Sequence, residues 1–184
     1  MITLIKSLAI FWILSIVFIG GLKGQACPGC YFSAATLAVQ NDAELQSKIK
    51  MLFPKLTHRK KAIEFRVDTR IEYIPLYNAF EESKEQAVID SLTLKAPAMS
   101  TSRYDEIQRF ESYNNPDLER LSPAPDADLM LRFSQCRSNY VVAELLDGRM
   151  NYGRTRYGKV LHILFVFNDE GFVRKIITSS YTYN

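Results

Sequence analysis

Residues 159–183 read KVLHILFVFNDEGFVRKIITSSYTY, and this stretch decides the fold class because it holds two strand patterns joined by a turn. Residues 159–167 are apolar on both faces except at His162, which is typical of a strand in the middle of a sheet. Residues 168–171 form a short loop that ends in a glycine suited to a positive φ angle. The stretch therefore predicts an antiparallel hairpin whose second strand covers residues 172–183.

Two more strand patterns lie upstream, at residues 129–135 and 140–146, so the last third of the chain is predicted to be a four-strand antiparallel meander. Residues 63–73 alternate in strict period two, which predicts a further long strand with one face in water. Helical spacing predicts helices over residues 77–92 and 103–113, and an earlier one capped by Asn41. We therefore predict an α+β fold in which N-terminal helices and one long strand precede the meander, with a curved sheet and its helices on one face.

The first 26 residues have the layout of a secretory signal peptide, with an early lysine, a short apolar core and the small-x-small exit Gly24-Gln25-Ala26. Cleavage at that exit would leave residues 27–184 as one exported domain in the periplasm, at the cell surface or secreted. The apolar run is only slightly shorter than the roughly 20 residues of a membrane-spanning helix, so an uncleaved N-terminal anchor is a second interpretation.

Three cysteines, Cys27, Cys30 and Cys136, leave alternatives that depend on this processing. Cys27 would become the first residue, a position that bacterial lipoproteins acylate, so it is a candidate membrane tether. In an oxidising compartment, either Cys27 and Cys30 close a small ring, or Cys27 carries lipid and Cys30 bridges to Cys136. Thiol redox chemistry at Cys27 and Cys30 is a weaker hypothesis, since no strand precedes their Cys-x-x-Cys spacing as in thioredoxin-type sites.

Charge and motif content exclude several classes of function. The chain has 23 basic and 20 acidic side chains, and removal of Lys6 and Lys23 with the signal segment leaves 21 against 20. A chain so balanced has no overall attraction for nucleic acid. It contains no Gly-x-Ser-x-Gly, no glycine-rich phosphate loop and no His-Glu-x-x-His, and its histidines and cysteines lack metal-ligand spacing. We therefore expect no nucleic-acid partner, no metal and no cofactor.

Glu144 and His162 are the candidate catalytic residues, because each is an ionisable side chain inside an otherwise apolar strand. Burial among apolar neighbours penalises an ionised carboxylate unless a partner compensates it. If the two strands are neighbours, the two side chains meet and form an acid–base pair suited to a hydrolase or lyase. A purely structural pair of Glu144 with a histidine or arginine is the alternative.

The loop that follows residue 147 is a second candidate site, because basic and aromatic residues flank two glycines there. An anionic partner or a glycan would suit this loop. Its candidate ligand-binding residues are Arg149, Tyr152, Arg154, Arg156 and Tyr157. The leading hypothesis is an exported protein that binds an unknown ligand or protein partner, either at this loop or in a pocket between sheet and helices. The hydrolase or lyase is the alternative.

Overall fold

A computed structural model describes residues 28–58, 62–74, 76–80, 85–95, 112–149 and 158–183. The helices in these residues are α1 (Pro28–Asn41), α2 (Ala43–Leu52), α3 (Pro54–Thr57), α4 (Leu76–Ala79), α5 (Gln86–Lys95) and a 3₁₀-helix, η1 (Pro116–Leu121). The strands are β1 (Arg66–Glu72), β2 (Tyr113–Asn114), β3 (Leu129–Ser134), β4 (Tyr140–Asp147), β5 (Gly158–Phe167) and β6 (Val173–Tyr183). The protein is a mixed α+β protein, as the sequence patterns predict.

The six strands form one sheet in the order β2-β1-β3-β4-β5-β6. Strands β3 to β6 follow one another as antiparallel neighbours, and their bounds differ from the sequence prediction by one residue at most. The predicted long strand becomes β1, which pairs with β3 in parallel. A parallel pair needs a long crossover connection, and the chain between β1 and β3 supplies it. The sheet is therefore mostly antiparallel, with one parallel pair.

Helices cover both faces of the sheet, so the prediction of helices on one face is wrong. The α1 face, which includes Val141, packs against α1 and α2. On the opposite α5 face, Val142 and Leu164 pack with Phe80 and Ile89 from the region of α4 and α5. The physical reason is that β4 and β5 are apolar on both sides, so each side needs a cover that removes it from water.

The helix boundaries agree with the sequence predictions only in part. Asp42, and not the predicted Asn41, caps α2: its Oδ1 accepts a hydrogen bond from the Leu45 backbone N–H at 2.7 Å, while Asn41 ends α1. Of the predicted helix over residues 77–92, the described residues show α4 and α5, and α5 continues three residues beyond the predicted end. The predicted helix over residues 103–113 lies almost wholly outside the described residues, and its last residue, Tyr113, begins β2.

Within the described part of the chain, no helix combines the length and the apolar character needed to cross a membrane. The predicted signal peptide, residues 1–26, lies outside the described residues. Its cleavage and its alternative role as an anchor therefore stay predictions.

Candidate functional site

Four ionisable side chains lie in a row across the α5 face, one from each of four neighbouring strands: Asp68 from β1, Arg132 from β3, Glu144 from β4 and His162 from β5. The strand register makes Arg132 the partner of Glu144, and Glu144 the partner of His162. Side chains that are directly opposite in an antiparallel pair lie on the same face and within contact distance. We call these four residues the charged row.

The charged row is held by two short polar contacts and is mostly shielded from water. The Nε of Arg132 donates to Oδ2 of Asp68 at 3.1 Å, and each of these side chains is 16% exposed. The side chains of Glu144 and His162 are 18% and 8% exposed. Charges this well buried require partners, because desolvation penalises every unpaired charge. Acidic and basic side chains accordingly alternate along the row.

The structure brings Glu144 and His162 together. Their side chains share a hydrogen bond between Nε2 of His162 and Oε1 of Glu144, with a separation of 3.2 Å. The antiparallel register of β4 and β5 produces this contact, as predicted for the case in which the two strands are neighbours. The catalytic role assigned to the pair stays a prediction.

The other ring nitrogen of His162 is the least satisfied atom of the charged row. Nδ1 is buried, and no described residue forms a hydrogen bond with it. The imidazole lies near the ring of Phe80, with centroids 6.3 Å apart. When Nε2–H donates to Glu144, Nδ1 carries a lone pair and can accept a proton or a hydrogen bond. The site therefore has a fixed acid–base group, and the lone pair of Nδ1 on its buried side is available to a donor.

Two members of the charged row, Asp68 and Arg132, were not predicted from the sequence. A signal was present for Arg132, since it is the one charged residue of β3, just as Glu144 is the one carboxylate in the interior of β4. Asp68 gave no such signal, because it is one of several charged residues on the predicted wet face of its strand. Only the parallel pairing of β1 with β3 brings it to Arg132.

The predicted ligand-binding loop is only partly described. Tyr152, Arg154, Arg156 and Tyr157 lie outside the described residues. Arg149 is already engaged by carboxylates: its Nε and Nη2 donate to the two oxygens of Asp147 at 2.9 and 2.7 Å, and Asp128 lies 3.6 Å away. The hydrogen bond from Arg149 lowers the pKa of Asp147. An anionic ligand would have to compete with these two carboxylates for the guanidinium.

Replacing Arg149 by glutamine is expected to raise the pKa of Asp147 toward the ordinary value, because the hydrogen-bonding cation is removed. A carboxyl with a lowered pKa in the folded state contributes stability above its unfolded pKa of about 3.9 and loses it as the pH falls through the folded value. The stability difference between wild type and variant should therefore be present at neutral pH and disappear in acid.

Titration of the Asp147 carboxyl by NMR and urea unfolding at neutral and acid pH measure both effects. Arg120→Gln is the matched control, because Arg120 forms a longer ion pair of 3.7 Å with Asp117. Both of these side chains are largely exposed, at 84% and 78%. An Asp147 pKa that does not respond to Arg149→Gln would contradict the bidentate contact.

Neither predicted disulfide is present in the described residues, where Cys30 and Cys136 are both free thiols. Cys30 is exposed on the first turn of α1, whereas Cys136 is half-buried against the core of the α1 face. Burial raises the pKa of the Cys136 thiol to about 11. Cys27 lies outside the described residues, so its lipidation and the thiol redox hypothesis stay predictions.

Cys136 is expected to react with iodoacetamide far more slowly than Cys30 in the folded protein. A pKa of about 11 instead of 9.0 leaves about a hundred-fold less thiolate at mildly alkaline pH, and thiolate is the reacting species. Peptide mapping by mass spectrometry separates the two sites in a time course. In denaturant the two cysteines should react at similar rates, and equal rates in the folded protein would contradict the burial of Cys136.

Among the described residues, no group of three or more histidine, cysteine or acidic side chains is arranged to hold a metal ion. No known protein family, curated protein or solved structure matches this chain. Function therefore has to be inferred from the geometry of the charged row.

Proposed function

We propose that this protein is an exported binding protein that holds a small polar ligand against the charged row, between the curved sheet and the helices of the α5 face. The observation that supports the proposal is the buried Nδ1 of His162, which lacks a hydrogen-bond partner among the described residues. Leaving such a group unpaired costs about 1–3 kcal/mol. A ligand atom that donates a hydrogen bond to Nδ1 recovers this energy, which favours the bound state.

The chemistry of the charged row limits the class of ligand. Two carboxylates and one guanidinium leave the row with a net negative charge while His162 is neutral. An uncharged or cationic ligand is therefore favoured over an anion. Because Glu144 holds Nε2, the remaining nitrogen is an acceptor, and the ligand should present a hydroxyl or an N–H group to it.

A second candidate function, a hydrolase or lyase, is favoured by the 3.2 Å contact between Glu144 and His162. A carboxylate that accepts from one ring nitrogen orients the imidazole and stabilises the cation formed when the other nitrogen takes a proton. In this scheme, His162 Nδ1 removes a proton from the substrate and Glu144 stabilises the imidazolium.

A ligand screen tests the proposal directly. A library of small polyols, sugars, amino acids and amines is added to the full-length protein, and the melting temperature is recorded. At least one compound should raise it in wild type and fail to do so in His162→Leu, while Lys159→Ala, an exposed position of the same strand, should retain the effect. Stabilisation that survives His162→Leu, or no stabilisation by any compound, would refute binding at the charged row.

The fate of the ligand separates the two functions. After incubation with wild type, mass spectrometry should recover the ligand unchanged if the protein only binds it. A product that forms with wild type but not with Glu144→Gln would overturn simple binding in favour of acid–base catalysis.

We further propose that residues 1–26 direct export and are removed, which leaves Cys27 as the first residue. Intact-mass analysis of the protein recovered from the cell envelope should show the loss of this segment, and an added acyl mass would identify a lipid tether. A cytosolic product that keeps Met1 would contradict export.

A further inference from the structure

Strand β6 is a long edge of the sheet, and the two edges differ in how they are protected. It has eleven residues and lies at one end of the strand order. At the opposite end, β1 is shielded by the short strand β2. Two further hydrogen bonds cover its backbone: the Asn115 N–H donates to the Thr69 carbonyl at 2.7 Å, and the Val67 N–H donates to Ser122 Oγ at 2.8 Å. From Val173 to Ser180, no described residue outside the sheet makes such a bond with the β6 backbone. An edge stretch of eight residues without such bonds is a template for another strand.

An open groove of about 550 Å³ runs beside the first half of β6 on the α1 face. Its lining includes Arg174, Ile176 and Thr178 from β6, and Asp42 and Lys48 from the N-cap and the middle of α2. An edge strand flanked by a helix is the geometry in which proteins add an extended segment to a sheet. The groove therefore provides space for side chains of a strand that pairs with β6.

The charges of β6 indicate which strand fits. Its two charged residues, Arg174 and Lys175, are neighbours at its start, and the rest of the strand is uncharged. A parallel in-register copy would stack these cations about 4.8 Å from their equivalents, which is unfavourable. An antiparallel copy with all eleven residues overlapping separates Arg174 from its equivalent by about 27 Å, at roughly 3.4 Å per residue. The strand is thus compatible with itself in one direction only.

We propose that β6 pairs with β6 of a second copy of this chain, antiparallel and across a two-fold axis through Thr178, to form a continuous twelve-strand sheet. In the fully overlapped register, Arg174 lies opposite Thr182 of the second copy, and Lys175 lies opposite Tyr181. Alternation puts Ser180 and Thr182 on the α1 face, where these small hydroxyl side chains enter the groove of the other copy. The groove lies on the α1 face and the charged row lies on the α5 face, so the pairing does not require the proposed ligand.

Sedimentation velocity on the protein purified from cells that express the full chain tests the pairing and its register. Wild type is expected to be a dimer at micromolar concentration. Thr182→Lys places a cation opposite Arg174 at two symmetric contacts and should raise the dissociation constant about ten-fold. Adding Arg174→Glu to this variant restores opposite charges and should restore the dimer. Gln135→Lys, an exposed position between β3 and β4, adds the same charge elsewhere and should have no effect.

The loss in Thr182→Lys should shrink at high salt, because screening weakens the repulsion. Circular dichroism should show equal folding of all variants, so that loss of pairing is distinguished from loss of structure. A monomeric wild type at micromolar concentration overturns the proposal, as does a dimer that Thr182→Lys leaves unchanged. Wild type that stays monomeric yet binds an unrelated extended peptide would assign the edge to a foreign strand and equally overturn self-pairing.

Discussion

Replacing Phe165 by alanine is expected to lower the free energy of unfolding by about 3–5 kcal/mol. Phe165 lies in the middle of β5, is fully buried, and belongs to the hydrophobic cluster of the α1 face. The substitution removes an aromatic ring and leaves a cavity between the sheet and α1. The neighbouring side chains fill this cavity poorly, because β4 and β6 hold β5 in place on both sides. Urea unfolding followed by circular dichroism measures the loss.

Phe172→Ala is the matched control, because the same ring is removed from a side chain that is 66% exposed in the turn before β6. Its effect is expected to stay within about 0.5 kcal/mol, as for most surface positions. If the two substitutions cost the same, β5 does not lie at the centre of the core and the described strand order is wrong.

The second large effect concerns the hydrogen-bonded pair of the charged row. Glu144→Leu leaves both ring nitrogens of His162 unpaired and buried, and His162→Leu leaves the Glu144 carboxylate without its partner. Each single substitution is expected to cost about 1–3 kcal/mol, the penalty for an unmade buried hydrogen bond. The measurement is urea unfolding at neutral pH.

The double variant Glu144→Leu/His162→Leu is expected to be as stable as wild type or more stable. Val142 and Leu164, which flank the pair on the α5 face, are apolar, so two leucines continue an existing hydrophobic surface. Replacing a buried polar pair by apolar side chains is often neutral or stabilising, although breaking the pair is costly. The double-mutant cycle should therefore give a large favourable coupling between the two leucines.

This result would bear on function as well as on stability. A pair that the fold does not need for its stability is more readily explained by a role in binding or proton transfer, and the double variant should also lose the ligand response proposed above. A double variant whose losses simply add would instead indicate that Glu144 and His162 serve the fold.

Local patterns were sufficient for the strands, because apolar runs, alternation and turn residues are properties of neighbouring residues along the chain. The bounds of β3 to β6 follow closely from apolar runs that end at turn residues. The N-cap of α2 shows that local patterns locate a helix end only to within about one residue. Asn41 and Asp42 have the same capping chemistry, and only the backbone geometry selects Asp42. The partner of β1 was not predictable in this way, because a strand pattern shows which face is wet but not which strand lies beside it.

Two residues of the candidate site were predictable from the sequence, and two were not. Glu144 and His162 stand out in sequence because each interrupts an apolar strand, and their contact required only that consecutive strands be neighbours. Arg132 and Asp68 entered the site through pairings that cross long stretches of chain. The unpaired Nδ1 of His162 became visible only when the α5 face was covered, since burial is a property of the assembled layers.

The amino-acid sequence by itself determined the α+β class, the four C-terminal strands and the two ionisable residues that interrupt them, because these depend on the spacing of side chains along the backbone. Only the tertiary structure decided that β1 joins in parallel, that helices cover both faces and that four charges form a row. Those features depend on contacts between residues far apart in the chain, where the need to bury both faces of β4 and β5 outweighs any local preference.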